Sequence, residues 1–221
     1  MREVKGARWS PGCGLVALAG RLALGQRRGM GPLARTRTWG ATAEDARCRL
    51  PGDELMPDAD ATATRATSMP ARAQDVWPWI AQTGQDRGGF DSHDTVADLA
   101  GCRIHSARHL DPQRRLSGPG DELHLHPEVA PIVAEIEPPE YLVLRAPRDQ
   151  HRSAPFGFTR NFAVTPNASG SREPVRERHR YRRRWRAVVV TRIEVVSFVM
   201  HRAMLRGIAE RARATTPREA S

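Results

Sequence analysis

A series of short alternating segments follows Gly118. Five segments alternate apolar and polar residues: DELHLH, PIVAEIE, EYLVLR, FGFTRNFAV and PVRERHRY. Alternation with a period of two is typical of strands that bury one face. The stretches between them, PEVAP, EPPE and PNASGS, consist of turn-forming residues. The segments therefore predict a meandering antiparallel sheet.

A first strand and two short helices are predicted ahead of this sheet. The Thr-rich stretch 61–69 predicts the strand. The stretch ARAQDVWPWIAQTG then has apolar residues at helical spacing and Gly84 as a stop, and Pro78 is expected to kink or shorten the helix. Asp94 as N-cap and Gly101 just past the end predict a second short helix.

A longer amphipathic helix is predicted in the stretch SFVMHRAMLRGIAERARA, with Ser197 as its N-cap. Its apolar and small residues recur on one helical face: Val199, Met200, Ala203, Met204, Gly207 and Ile208. The order of elements predicts an α+β domain over residues 41–213. Residues 1–40, rich in Gly and Arg without sustained period, are expected to be a disordered extension, and residues 214–221 a flexible tail.

The charge balance is strongly basic, with a formal net charge of +10. Such a balance suits a polyanion, so a nucleic-acid or membrane-surface binder is one hypothesis. Lys5 is the only lysine among 35 basic residues, a skew that GC-rich codon usage produces by itself. Since the arginines are scattered and not interleaved with aromatics on one helix, we expect no specific nucleic-acid partner.

The three cysteines, Cys13, Cys48 and Cys102, are widely spaced and form no CxxC pair. This pattern favours reduced thiols and a cytoplasmic protein. A secretory signal is the alternative, because basic residues precede the apolar stretch CGLVALAGRLALG, although Arg21 interrupts it. No apolar run is long enough for a membrane-spanning helix.

Histidines raise the question of a metal site. His124 and His126 alternate with leucines that should take the inner face of their strand, so both imidazoles should point outward. A second group consists of Cys102, His105 and His109, and no carboxylate completes a tetrahedral set. We therefore expect neither a metal nor another cofactor.

Three stretches together resemble the bacterial SRPBCC proteins, the START and polyketide-cyclase-like superfamily. They are WPWIAQTGQDRGGFDSHDTVADLAGCRIHSA, GDELHLHPE and the ending VRERHRYRRRW with VVSFVMHRAMLRGIAERA. The likeness covers residues 39–213. It implies a helix-grip fold, in which a curved antiparallel sheet wraps around a long C-terminal helix, with two short helices after the first strand and an apolar cavity between sheet and helix. Proteins of this superfamily include lipid carriers and aromatase/cyclases.

The chain departs from this pattern at several positions. Proteins of the superfamily tend to carry aromatics where this chain has Asp91, His93, Thr95 and Arg160, and aliphatics around Glu173 and Pro174. Pro174 is expected to weaken strand pairing at the start of the last strand. These residues change the cavity lining that the resemblance implies.

The two faces of the last strand differ in chemistry. Glu177, His179 and Tyr181 share one face with Val175, and the other face carries Arg176, Arg178, Arg180 and Arg182. The arginine face is expected to be solvated, which turns the first face inward. Glu177, His179 and Tyr181 are the candidate catalytic residues, suited to acid/base work on a carbonyl substrate. The alternative is a buried hydrogen-bonded pair or a cluster at the cavity mouth.

Arg160 shares a strand face with Phe158 and Phe162, so it should point inward if they do. A buried guanidinium needs a partner, which is Glu177 or an anionic ligand, unless the side chain reaches water. The predicted cavity lining comprises Phe158, Arg160, Phe162, Glu177, His179, Tyr181, Met200 and Met204.

These observations predict binding of a small hydrophobic or amphipathic ligand, such as a lipid, in the internal cavity. The first alternative is a cyclase or dehydratase that acts on a polyketide-like compound through Glu177, His179 or Tyr181. The second alternative is the basic nucleic-acid or membrane-surface binder.

Overall fold

The computed structural model describes residues 31–82, 116, 118–123, 130–147, 156–181 and 186–215. The helices are α1 (Pro32–Arg37), α2 (Ala43–Arg47), α3 (Ala73–Ala81) and α4 (Arg186–Thr215), with a short 3-10 helix at Asp53–Leu55. The strands are β1 (Ala61–Met69), β2 (Ile132–Glu137), β3 (Tyr141–Arg145), β4 (Gly157–Ala163), β5 (Thr165–Asn167) and β6 (Gly170–Arg180).

The strands form one antiparallel sheet in the order β1-β6-β4-β3-β2, and β5 pairs with β6. Helix α4 packs on one face of the sheet, where Met204, Leu205 and Ile208 join the apolar core with Phe162 and Val175. The predicted α+β class and helix-grip arrangement are confirmed. The second predicted helix, which begins at Asp94, lies outside the described residues.

The alternation of the sequence determines which side chains meet α4. In the register of β4 and β6, Phe158 lies opposite His179, Arg160 opposite Glu177, and Phe162 opposite Val175. Because alternate residues point to opposite faces, these side chains share the face that α4 covers. The core therefore contains the charged pair Arg160 and Glu177 in its middle.

The hairpin before β6 differs from the prediction. PNASGS was expected to be a turn, and the turn lies within it but is shorter, because β5 ends at Asn167 and β6 already begins at Gly170. Pro174 lies opposite Ala66, whose amide donates to the Trp39 carbonyl and not to β6. On its other side Pro174 falls where the partner of β6 changes from β4 to β5. Its missing N–H is therefore tolerated within an inner strand.

The prediction of a solvated arginine face is wrong at Arg176, which is 4% exposed. Residues 41–58 cover this side of the sheet and bring acidic groups with them. The guanidinium of Arg176 pairs with Asp53 at 2.5 Å and donates to the carbonyls of Cys48 and Asp45. Arg178 also pairs with Asp53, at 2.9 Å. A segment distant in sequence thus supplies the acidic partner of these arginines, where solvent was expected.

The start of the long helix is a second correction. Helix α4 begins at Arg186 and not at Ser197, which lies inside the helix. The Ser197 hydroxyl does not cap a helix end, because it bonds to side chains of the sheet.

At the other end of the chain, residues 31–40 of the expected extension include α1. Its Arg37 pairs with Glu194 of α4 at 2.7 Å, so these residues form part of the described domain.

Helix α3 contains Pro78 and ends at Ala81, short of the predicted stop at Gly84. Among the described helices, none combines the length and apolarity needed to span a bilayer.

Cys48 is disulfide-bonded, so the prediction of reduced thiols is wrong at this residue. Cytoplasmic localisation stays a prediction.

Candidate functional site

The candidate site is centred on Glu177, a carboxylate in the middle of β6 that is 1% exposed. Its Oε2 accepts a hydrogen bond from Arg65 Nη1 of β1 at 3.1 Å. Its Oε1 accepts from Arg160 Nη2 of β4 and from the Ser197 hydroxyl of α4, the latter at 2.5 Å. The predicted pairing of Arg160 with Glu177 is confirmed, and three elements converge on this one carboxylate.

The electrostatics of Glu177 result from two opposing effects. Burial by itself raises the pKa of the carboxyl, but the nearby charges of Arg160 and Arg65 outweigh it. The pKa of Glu177 is therefore held well below its usual range. Glu177 is a permanently ionised anchor at physiological pH.

Arg65 is the main residue of the site that the sequence prediction missed. Its Nε donates to the Thr36 carbonyl at 2.9 Å, its Nη1 to Glu177, and its Nη2 to the Glu194 carbonyl at 3.3 Å. These bonds commit all three nitrogens to protein acceptors. Its position in the sequence could have identified it, because alternate residues of a strand share a face. Arg65 shares its face of β1 with Ala61 and Ala63, whose small side chains leave space under the helix.

Arg160 is held differently from Arg65. Its guanidinium carbon lies 5.6 Å from the ring centre of Phe158 and 5.9 Å from that of Phe162. Its Nη2 donates to Glu177 and, at 2.7 Å, to the Ser197 hydroxyl. Its Nε is buried and has no hydrogen-bond partner among the described residues. The side chain thus retains an unused donor.

Two buried histidines flank the charged group. His179 lies 5.5 Å from Phe158 and 5.4 Å from Phe156, ring centre to ring centre, and His201 stacks on Phe162 at 6.1 Å. Both nitrogens of each imidazole are without partners in the described part of the chain. Each neutral imidazole therefore has one free donor and one free acceptor.

Both histidines are held neutral by their surroundings. Burial lowers the pKa of His201 to about 3, with the charge of Arg160 acting in the same direction. Burial also lowers the pKa of His179, although Glu177 and Glu194 oppose it. Neither imidazole adds charge to the site at neutral pH.

Glu194 closes the site on the side of α1. Its Oε2 accepts two hydrogen bonds from Arg37, at 3.1 and 2.7 Å, whereas its buried Oε1 has no partner in the described ranges. The pair balances its own charge. Helix α1, at the edge of the predicted extension, thus contributes to the surroundings of the site.

The remaining candidates lie in different places. Tyr181 follows the end of β6, where its hydroxyl donates to the Asp60 carbonyl at 3.4 Å and its amide to the Asp60 carboxylate at 2.8 Å. This phenol is bonded to the chain near the start of β1 and not to Glu177. Met204, a residue of α4, is buried in the apolar core. The side chain of Met200 lies outside the described residues.

The candidate metal ligands His124, His126, Cys102, His105 and His109 also lie outside the described residues. Over the ranges that the structure does describe, no group of three or more His, Cys, Asp or Glu side chains is arranged to hold a metal ion.

Comparisons with known proteins concern the fold. No family model and no curated protein matches the chain. Among solved structures, it is similar to protein MLL2253 from Mesorhizobium loti, with 11% identity, a TM-score of 0.44, and coverage of 71% of this chain and 100% of that one. A protein from Arthrobacter aurescens has 11% identity, a TM-score of 0.41, and coverage of 70% and 87%. The di-domain ARO/CYC BexL from the BE-7585A biosynthetic pathway has 14% identity, a TM-score of 0.40, and coverage of 74% and 54%.

Proposed function

We propose that the protein binds a small apolar or amphipathic molecule between the sheet and α4. The observation that carries this proposal is a set of buried polar atoms that lack partners in the described structure and lie in this one layer. They include Arg160 Nε, Nδ1 and Nε2 of His179, Nδ1 and Nε2 of His201, and Glu194 Oε1. Leaving a buried polar group unsatisfied costs about 1–3 kcal/mol, and such groups usually have a protein, water or ligand partner.

The surroundings of these atoms favour a largely apolar molecule. Phe158 and Phe162 flank Arg160, and Leu142 and Leu144 of β3 continue the same face as buried side chains. An apolar wall with a few convergent polar groups is typical of small-molecule sites. The polar groups orient such a molecule, and the rings contact its body.

The same contacts give less support to acid/base catalysis. A general acid or base works best with a pKa near the operating pH, whereas two arginines keep Glu177 ionised. Tyr181, the third candidate, bonds to Asp60. We therefore propose that Glu177 positions Arg160 and that the protein acts as a ligand carrier or ligand sensor, ahead of the cyclase-like alternative.

Native mass spectrometry on gently purified protein tests this proposal. We expect a co-purifying molecule that is released on denaturation, or saturable binding of the neutral apolar dye Nile red by the emptied protein. Phe162→Ala should change the dye affinity, and the matched control Arg202→Gln, on the exposed side of α4, should leave it unchanged. Absence of both a retained molecule and saturable dye binding contradicts the proposal.

A further inference from the structure

The charges around Glu177 do not balance. Arg65 and Arg160 both pair with this one carboxylate, and their side chains are 1% and 11% exposed. Glu194 does not supply the missing negative charge, because it is paired with Arg37. Two guanidiniums thus share one carboxylate in an interior where an uncompensated charge is costly.

Other groups on this face do not compensate. Burial raises the pKa of Glu173, also on β6, to about 8, so this carboxyl is protonated at neutral pH. His179 and His201 are neutral, and Ser197 carries no charge. The described part of the site therefore has one more positive than negative charge.

The two arginines differ in what they can still bind. Each nitrogen of Arg65 donates to a protein oxygen. Arg160 keeps a buried Nε without a partner in the described structure and lies between the rings of Phe158 and Phe162. A ligand oxygen that accepts from Arg160 Nε would therefore meet an open donor with apolar surfaces beside it.

On the basis of the ligand binding proposed above, we propose that the molecule bound under α4 carries a carboxylate, and that this carboxylate accepts a hydrogen bond from Arg160. A carboxylate has the single negative charge that matches the excess, whereas a phosphate monoester carries about −1.5 to −2 at pH 7. His179 and His201 each keep a free N–H in the same layer between the sheet and α4. Glu177 and Ser197 then act as positioning residues that orient the guanidinium.

The test uses three probes with the same alkyl chain: decanoate, decanol and decylamine. Isothermal titration of the full chain at pH 7 should show decanoate binding about tenfold tighter than decanol, the advantage expected of one charge-assisted hydrogen bond. Decylamine should bind most weakly, because it adds a second excess cation. Decanoate and decanol of equal affinity would overturn the inference.

Arg160→Met is the decisive variant, because it removes the excess charge and leaves Glu177 paired with Arg65. We expect it to bind decanoate and decanol equally well. The control Arg202→Met removes an exposed arginine of α4 whose guanidinium lies over Trp39, and it should retain the preference. A preference that survives Arg160→Met contradicts the inference.

Two further results keep the test decisive. If Arg160→Met does not fold, Arg160→Lys retains the charge without the guanidinium Nε, and the preference should fall severalfold. An unchanged preference in that variant overturns the inference. If decanol and Nile red bind while decanoate has no advantage, the proposed function stands without the carboxylate. If no probe binds the wild-type chain, the proposed function itself fails.

Discussion

Glu177 and Arg160 lie directly opposite each other on β6 and β4, and both bond to the hydroxyl of Ser197 in α4. This contact joins the sheet to the helix through a buried charge pair. Arg65 provides a second cation for the same carboxylate. The two members of the pair are therefore not equivalent, because removing Glu177 leaves two cations unpaired and removing Arg160 leaves none.

The first prediction follows from this asymmetry. Glu177→Gln should lower the free energy of unfolding by about 3–5 kcal/mol, the range for breaking a buried pair. Arg160→Met should cost clearly less, because Arg65 still neutralises Glu177. Urea unfolding of both single variants and of the double variant measures the costs and their coupling. Equal costs for the two single variants would show that Arg65 does not share the carboxylate.

The second prediction concerns Glu173, a buried carboxyl without a hydrogen-bond partner in the described structure. Burial raises its pKa from 4.5 to about 8. Between these values the folded chain holds a proton that the unfolded chain has lost, so stability should fall as pH rises through this window. The loss should be on the order of a few kcal/mol. Glu173→Gln should flatten this slope, as measured by unfolding midpoints from pH 5 to about 8.

Persistence of the full slope in Glu173→Gln would contradict this assignment. Glu140→Gln, on the turn between β2 and β3, is the matched control and should leave the slope in place.

The third prediction has the opposite sign and concerns His201. Burial lowers its pKa from 6.5 to about 3, so the unfolded chain takes up a proton that the folded chain refuses. Stability should therefore fall as pH drops from 6.5 towards 3. His201→Phe keeps an aromatic ring against Phe162 and should reduce this acid-side loss. Thermal unfolding over that pH range measures the effect. If the variant loses as much stability at low pH as the wild-type chain, His201 is not the source of that loss.

Much of the fold could be predicted because it depends on local alternation. The bounds of β1 follow from the Thr-rich stretch 61–69, and the positions of β2, β3 and β4 follow from residues that alternate with a period of two. The alternation along β4 and β6 also led to Glu177 as one candidate partner of Arg160, beside an anionic ligand or water, and the register of the two strands confirms Glu177. Such features require only that neighbouring residues point to opposite faces.

The errors concern contacts between segments distant in sequence. Arg176 is buried because Asp53, more than a hundred residues earlier in the chain, lies over it. Ser197 has the side chain of an N-cap, but its hydroxyl bonds to Glu177 and Arg160, and α4 extends further back to Arg186. Arg65 was missed because its partner could be identified only after the pairing of β1 with β6 was known.

Methionine methyl groups report directly on whether a small molecule binds under α4. Met204 is buried beneath α4, whereas the Met56 methyl group packs near Gly157 on the other face of the sheet. In NMR spectra of protein with isotope-labelled methionine methyls, titration with Nile red or decanoate should shift the Met204 signal and leave the Met56 signal in place. A shift at Met56 alone, or no shift at Met204 when the probe is saturating, would contradict ligand binding under α4.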